Sequence, residues 1–190
     1  MHRKRFLQQS LLAMGGTLVV PSLILQSCKV EPRVWSSLTD KDIGLLNEIA
    51  ETILPKTANL PGSIDLNLGD YIIDTVNACF MEEDKDVFLT GLTTFEERCI
   101  AENGKPFERL SVAEKKNLLM DIQDEAISFA ETQIDVPEPK THYFSLMKNL
   151  VVSGYFTSET VMVEAFDYSP IPGRYSGCVP WTESSKPYKG

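Results

Sequence analysis

The chain has 190 residues, of which 18 are basic and 27 acidic, for a net charge of −9, and 43% are hydrophobic. That is enough apolar material for one domain-sized core. Acidity of this degree argues against nucleic acid and against polybasic attachment to lipid headgroups as partners.

Residues 1–27 have the pattern of an export signal. His2-Arg3-Lys4-Arg5 precedes the 22 uncharged residues from Phe6 to Ser27, and the small residue Ser27 stands just before Cys28. Arg3-Lys4-Arg5-Phe6-Leu7 approximates the twin-arginine pattern with Lys in its second position, while general secretion also accepts a basic start. Leu25-Gln26-Ser27-Cys28 resembles a bacterial lipobox, in which the Cys thiol is acylated and becomes the new first residue. Cys28 is therefore expected to be a lipidation site, and the protein to be exported and held by that lipid at the periplasmic face of a bacterial membrane. A retained signal anchor is the alternative, since a run of this length spans a bilayer as a helix, but Gln8-Gln9-Ser10, Gly15-Gly16 and Pro21 interrupt it. Cleavage after Ser27 removes three basic groups and leaves 15 basic against 27 acidic, a net charge of −12.

Residues 28–37 lack helical periodicity and suit a tether. Residues 38–190 form the expected single domain. Thr39 with Asp42 three residues later marks a helix start, and Ile43, Leu46, Ala50 and Ile53 follow on one stripe that ends at Pro55. Pro55 to Asp65, with two prolines and a glycine, predicts an ordered loop. A second helix carries Leu68, Ile72, Val76 and Cys79, and a third carries Phe88, Leu92, Phe95 and Cys99 before Asn103-Gly104 stops it. Ser111 and Glu114 form a capping-box pattern ahead of Leu118, Ile122, Ala126 and Phe129, with Lys115-Lys116 and Asp124-Glu125 on the wet side. Phe144, Met147 and Val151 mark a fifth helix that breaks at Ser153-Gly154, and a short sixth is possible after Ser158. No run alternates long enough to set a sheet register. The expected fold is all-α: an irregular bundle of five to six helices with a C-terminal arm rich in Pro, Gly and aromatic residues.

Several chemistries lack their residues. Past the leader His142 is the single histidine, which removes most zinc sites, and it reads best as an exposed residue at a helix start. There is no Cys-x-x-Cys-His, no Gly-x-Gly-x-x-Gly, no phosphate loop and no nucleophile elbow. No catalytic, cofactor-binding or metal-ligating residue is therefore assigned. Cys79 and Cys99 lie on apolar stripes and are expected to be buried thiols, whereas Cys178 lies in the Gly/Pro-rich arm and is expected to be accessible.

The arm holds the best contact residues. Tyr168 to Trp181 contains three prolines, two glycines, two tyrosines, an arginine and a tryptophan, a mixture that breaks helices yet supplies the side chains that anchor interfaces. The candidate partner-binding set is Tyr155, Phe156, Tyr168, Arg174, Tyr175, Cys178 and Trp181.

Three segments together resemble the gluconate 2-dehydrogenase subunit 3 family: Ile53-Leu54-Pro55-Lys56-Thr57 with Pro61-Gly62-Ser63-Ile64-Asp65; Gly154-Tyr155-Phe156-Thr157-Ser158-Glu159; and Tyr168 with Pro172-Gly173-Arg174-Tyr175-Ser176-Gly177-Cys178. Members are small non-catalytic subunits of membrane-bound flavin dehydrogenases. The resemblance implies a large partner of the glucose-methanol-choline class that holds FAD and oxidises a sugar or polyol, and a cytochrome subunit that accepts electrons. It also implies that the small chain assists export, maturation or membrane docking of that partner. Family members commonly carry a clear twin-arginine leader, from which Arg3-Lys4 and the lipobox depart. Two other readings compete: a lipoprotein that binds a ligand or polymer through the aromatic arm, and a glycan enzyme using Asp65 with Asp70 or Glu159 with Glu164, the kind of carboxylate pair that glycoside hydrolysis needs.

Overall fold

Among the described residues, one α-helix packs against each of four others. The computed structural model describes residues 31–166 together with Tyr168, Ile171, Cys178, Pro180 and Thr182. The chain divides into two units, residues 1–31 and 32–190, and the described helices lie in the second. They are α1 (Ile43–Ile53), α2 (Leu68–Cys79), α3 (Glu82–Asn103), α4 (Val112–Thr132) and α5 (Tyr143–Thr157), with 3₁₀ turns at Asp40–Asp42 and Phe107–Arg109 and a π-helical turn at Val161–Ala165. The described residues contain no strand. α5 touches α1, α2, α3 and α4, and it buries Phe144, Met147, Leu150, Val151, Gly154 and Tyr155. A helix surrounded on several sides needs apolar residues beyond a single stripe, which is why its periodicity is weaker than that of α1.

The core holds Leu68, Ile72 and Val76 from α2, Phe88, Leu92 and Phe95 from α3, and Leu118 and Ile122 from α4, all on the expected stripes. On α1 Leu46 and Ala50 are buried as expected, while Leu45 and Ile49 take the buried places expected for Ile43 and Ile53, which are half-buried. Burying each large side chain contributes about 1.5–3 kcal/mol relative to exposure. The expected punctuation is present. Ser111 Oγ accepts from the Glu114 N–H, and the Glu114 carboxylate accepts from the Ser111 N–H at 2.6 Å. Those bonds from Ser111, and then Lys105 at 3.1 Å, hold the Glu114 carboxyl down at about 2. α3 ends where Gly104 takes φ +69°, the left-handed geometry that closes a helix at little cost only with glycine. No described helix is long and apolar enough to cross a membrane.

Five expectations need correction. α5 runs through Ser153-Gly154 to Thr157, because Gly154 packs where a Cβ would lie 2.6 Å from the Tyr71 ring, and this contact outweighs the weak helix propensity of glycine. Lys115 is not on the wet side: its ammonium is 2.7 Å from Glu48 and 5.5 Å from the centre of the buried Phe107 ring. Cys79, the last residue of α2, is exposed, while Cys99 is buried as expected and its thiol is pushed up to about 12 by burial and then by Glu96 and Glu108. His142 is half-buried, and its Nδ1 accepts the Phe144 N–H at 3.2 Å as the cap of α5. Finally, the stretch read as tether includes Trp35, which is core: it is 8% exposed and its indole N–H donates to Asp42 at 2.9 Å.

Candidate functional site

The loop between α1 and α2 is built around one carboxylate. Glu51, near the end of α1, accepts the N–H of Lys56 and the N–H of Ile64, both at 2.9 Å, and so ties the two ends of the loop together. A Cβ on Gly62 would overlap that carboxylate, so the tie requires glycine there. Ser63 is fully buried, and its hydroxyl lies 3.0 Å from the carbonyls of both Ala50 and Leu54. The Ala50 carbonyl already accepts the Leu54 N–H at 2.8 Å, whereas the Leu54 carbonyl lies past the end of α1 and takes both the N–H and the hydroxyl of Ser63, so Ser63 closes the C-terminal end of α1. Across the top, Lys56 and Asp65 pair at 2.9 Å, and Asp65 also accepts the Gly62 N–H. The Lys56 bond and then the Gly62 bond hold the Asp65 carboxyl below its usual range.

Tyr155 fastens this loop to the central helix. Its hydroxyl donates to the Pro61 carbonyl at 2.8 Å, and only 4% of the residue is exposed. Burial, and then the nearby Glu51 carboxylate, push its phenol up. The next residue, Phe156, points the other way: it is 42% exposed, meets Tyr155 edge-on at 5.2 Å and stacks on Phe166 at 5.9 Å. Phe166 follows the π-helical turn, and the Tyr168 N–H donates to Met162 within that turn at 3.0 Å. The ring of Tyr71 from α2 lies against Gly154 of α5, and the residue is partly exposed.

Two of the three segments singled out in the sequence therefore meet, since Pro61 joins the first to the second through Tyr155. Of the third, Tyr168 and Cys178 are described, and Tyr168 is bonded to the turn that Phe166 follows. Of the candidate contact residues, Phe156 and Tyr168 are exposed, and Cys178 is exposed as expected. Tyr155 is corrected: it is an internal pin, because its ring is buried and its hydroxyl is committed. Arg174, Tyr175 and Trp181 lie outside the described residues, as does Cys28. Sequence reasoning missed Tyr71, whose exposed position on the α2 stripe boundary gave a weak signal, and Glu51, whose partners are five and thirteen residues away.

The arrangement presents aromatic surface on a rigid base. Among the described residues no group of three or more His, Cys, Asp or Glu side chains is placed to hold a metal ion. Asp65 is bonded to Lys56 and to the Gly62 N–H, which leaves it poorly suited to general acid or base work with Asp70.

Comparison with known proteins agrees with the converging segments. The family model for gluconate 2-dehydrogenase subunit 3 matches residues 40–173, which includes the Glu51 loop, α5 and the aromatic stack. Searches of curated proteins and of solved structures returned no match. With a match over most of its length that spans every described helix and the Pro61–Tyr155 contact, this chain belongs to the gluconate 2-dehydrogenase subunit 3 family.

Proposed function

We propose that this chain is the non-catalytic small subunit of an FAD-dependent sugar or polyol dehydrogenase, and that it docks the flavoprotein subunit at the periplasmic face of a membrane through its own lipid on Cys28. The observation that carries the reading is the exposure of three aromatics, Tyr71 against Gly154 of α5, Phe156 next to Tyr155, and Tyr168 bonded to the turn after α5, around the helix that Tyr155 fastens to the α1–α2 loop. Exposed aromatics backed by a rigid core are the side chains that anchor protein interfaces, because they bury much area and lose little rotamer freedom. FAD would belong to the partner, as this sequence has no glycine-rich dinucleotide turn. A cytochrome subunit would take the electrons onward. Assistance with export or maturation fits the same contact, made before the complex reaches the membrane.

The test is purification of the tagged chain from native membranes, with flavin absorbance and sugar-dependent dye reduction as readouts. Replacing Phe156 and Tyr168 together by Ala should leave the thermal melt cooperative and weaken retention of the flavoprotein at least tenfold, since each interface anchor is worth about 2 kcal/mol. Wild-type protein that retains no flavoprotein would end the functional reading. Full retention by the folded double variant would move the interface elsewhere.

A further inference from the structure

The most anomalous polar group in the molecule is Glu96, on the inner face of α3. It is 2% exposed, and one of its oxygens, Oε2, is buried without a hydrogen-bond partner. Among the described residues its one ion-pair partner is the Arg33 guanidinium at 3.7 Å, an ion-pair distance but not a hydrogen bond. Arg33 is committed elsewhere: it donates to Glu108 at 2.6 Å and lies over the Trp35 ring at 5.2 Å. Glu108 likewise has a buried Oε2 without a partner. Two carboxyl groups thus share one guanidinium, and each presents an orphan acceptor to the interior.

We propose that Glu96 enters the fold as a neutral carboxylic acid, so that Arg33 and Glu108 form the ion pair and Glu96 supplies a proton-holding wall behind it. An ionised Glu96 leaves this site with an uncompensated buried negative charge, which is costly at low dielectric. A proton on Glu96 removes that charge and turns one of two orphan acceptors into a donor. The other charged or titratable groups around the site are Asp42 beside Arg33, and Cys99 and Glu102 on α3. Asp42 is occupied by the Trp35 indole and by the Thr39 N–H and hydroxyl. None of these adds a positive charge. In agreement, burial raises the Glu96 carboxyl above its ordinary value, against the opposing pull of Arg33.

The site holds the entry of the chain into the bundle, because Arg33 and Trp35 connect the N-terminal stretch to α3 and to the Phe107–Arg109 turn. An acid whose folded value lies above its unfolded value binds its proton more tightly when folded. Its stabilising contribution is present below the unfolded value and is lost as pH rises through the folded one. The stability of the fold that this site contributes is therefore greatest in mild acid and declines toward alkaline pH.

The experiment compares wild type, Glu96→Gln and Glu108→Gln by urea unfolding from about pH 5 to about pH 9, a range above the ordinary glutamate value. Infrared difference spectra of wild type and Glu96→Gln look for the neutral-carboxyl band. Glu96→Gln copies the protonated acid, so it should unfold at the wild-type urea midpoint in mild acid and at a higher one as pH rises. Glu108→Gln, which removes the ion-pair partner, should unfold at lower urea throughout. The neutral-carboxyl band should be present in wild type and absent from Glu96→Gln. The proposal is overturned if wild type shows no such band near neutral pH, a result that does not depend on either variant folding, or if Glu96→Gln loses as much stability as Glu108→Gln at every pH.

Discussion

The Tyr155 hydroxyl donates to the Pro61 carbonyl at 2.8 Å, across 94 residues of sequence, and this single bond clamps the α1–α2 loop to the central helix. Tyr155→Phe keeps the ring and removes only the donor, so the carbonyl of half-buried Pro61 loses its partner. The variant should lose about 0.5–1.5 kcal/mol in chemical denaturation, with faster amide exchange at Ser63 and Ile64. Flavoprotein retention should fall less than in Phe156→Ala. A larger effect of Tyr155→Phe on retention than of Phe156→Ala would return Tyr155 to the interface.

Two glycines within helices should respond in opposite directions to the same substitution. Nothing lies within 4 Å of a Cβ built on Gly44, near the start of α1, so Gly44→Ala should stabilise by about 0.5–1 kcal/mol through helix propensity and a less mobile unfolded chain. On Gly91 the added methyl meets Cβ and ring carbons of Tyr143, near the backbone of α5, where a rotamer change gives little relief. Gly91→Ala should cost about 1–3 kcal/mol by overpacking. Paired thermal melts check the signs, and equal shifts in both variants would contradict the close α3–α5 approach.

His142 introduces a pH dependence of the opposite sign to that of Glu96. Its neutral Nδ1 accepts the Phe144 N–H, and burial against Phe129 and Tyr143 lowers its affinity for a proton despite the opposing Glu125 carboxylate. A base with a lowered folded value contributes stability above its unfolded value, about 6.5, and loses it as pH falls through the folded one. Protonation also removes the acceptor that caps α5. His142→Asn supplies an acceptor that does not titrate, so its melting temperature should stay level on acidification while wild type loses a few degrees, equivalent to a cap worth about 1 kcal/mol. Parallel pH profiles would refute the capping role.

The helices were legible because each stripe is a local pattern: Phe88, Leu92, Phe95 and Cys99 announce one face of α3 without reference to anything distant. The site was only partly legible. Composition counts aromatic residues but does not distinguish Tyr155, whose hydroxyl finds a carbonyl across the fold, from Phe156 beside it, which finds solvent. Gly154 looked like a helix stop, since sequence shows its low propensity and not the Tyr71 ring that requires it. Lys115 looked wet beside Lys116 because its partner, Glu48, sits 67 residues earlier. In each case a tertiary neighbour decided the role, and local periodicity carries no record of it.

Trp35 and Arg33 also determine how the domain meets mechanical load. If the protein is held to a bilayer by its N-terminus, as proposed through Cys28, lateral drag reaches the described fold by way of Arg33 and Trp35. Here that drag would divide among three elements at once: the Phe107–Arg109 turn through Arg33 and Glu108, the middle of α3 through Trp35 and Thr93, and the approach to α1 through the indole and Asp42. The aromatic surface at Phe156 and Tyr168 belongs to α5 and the turn that follows it, so a tug on the anchor would leave the docking face aligned.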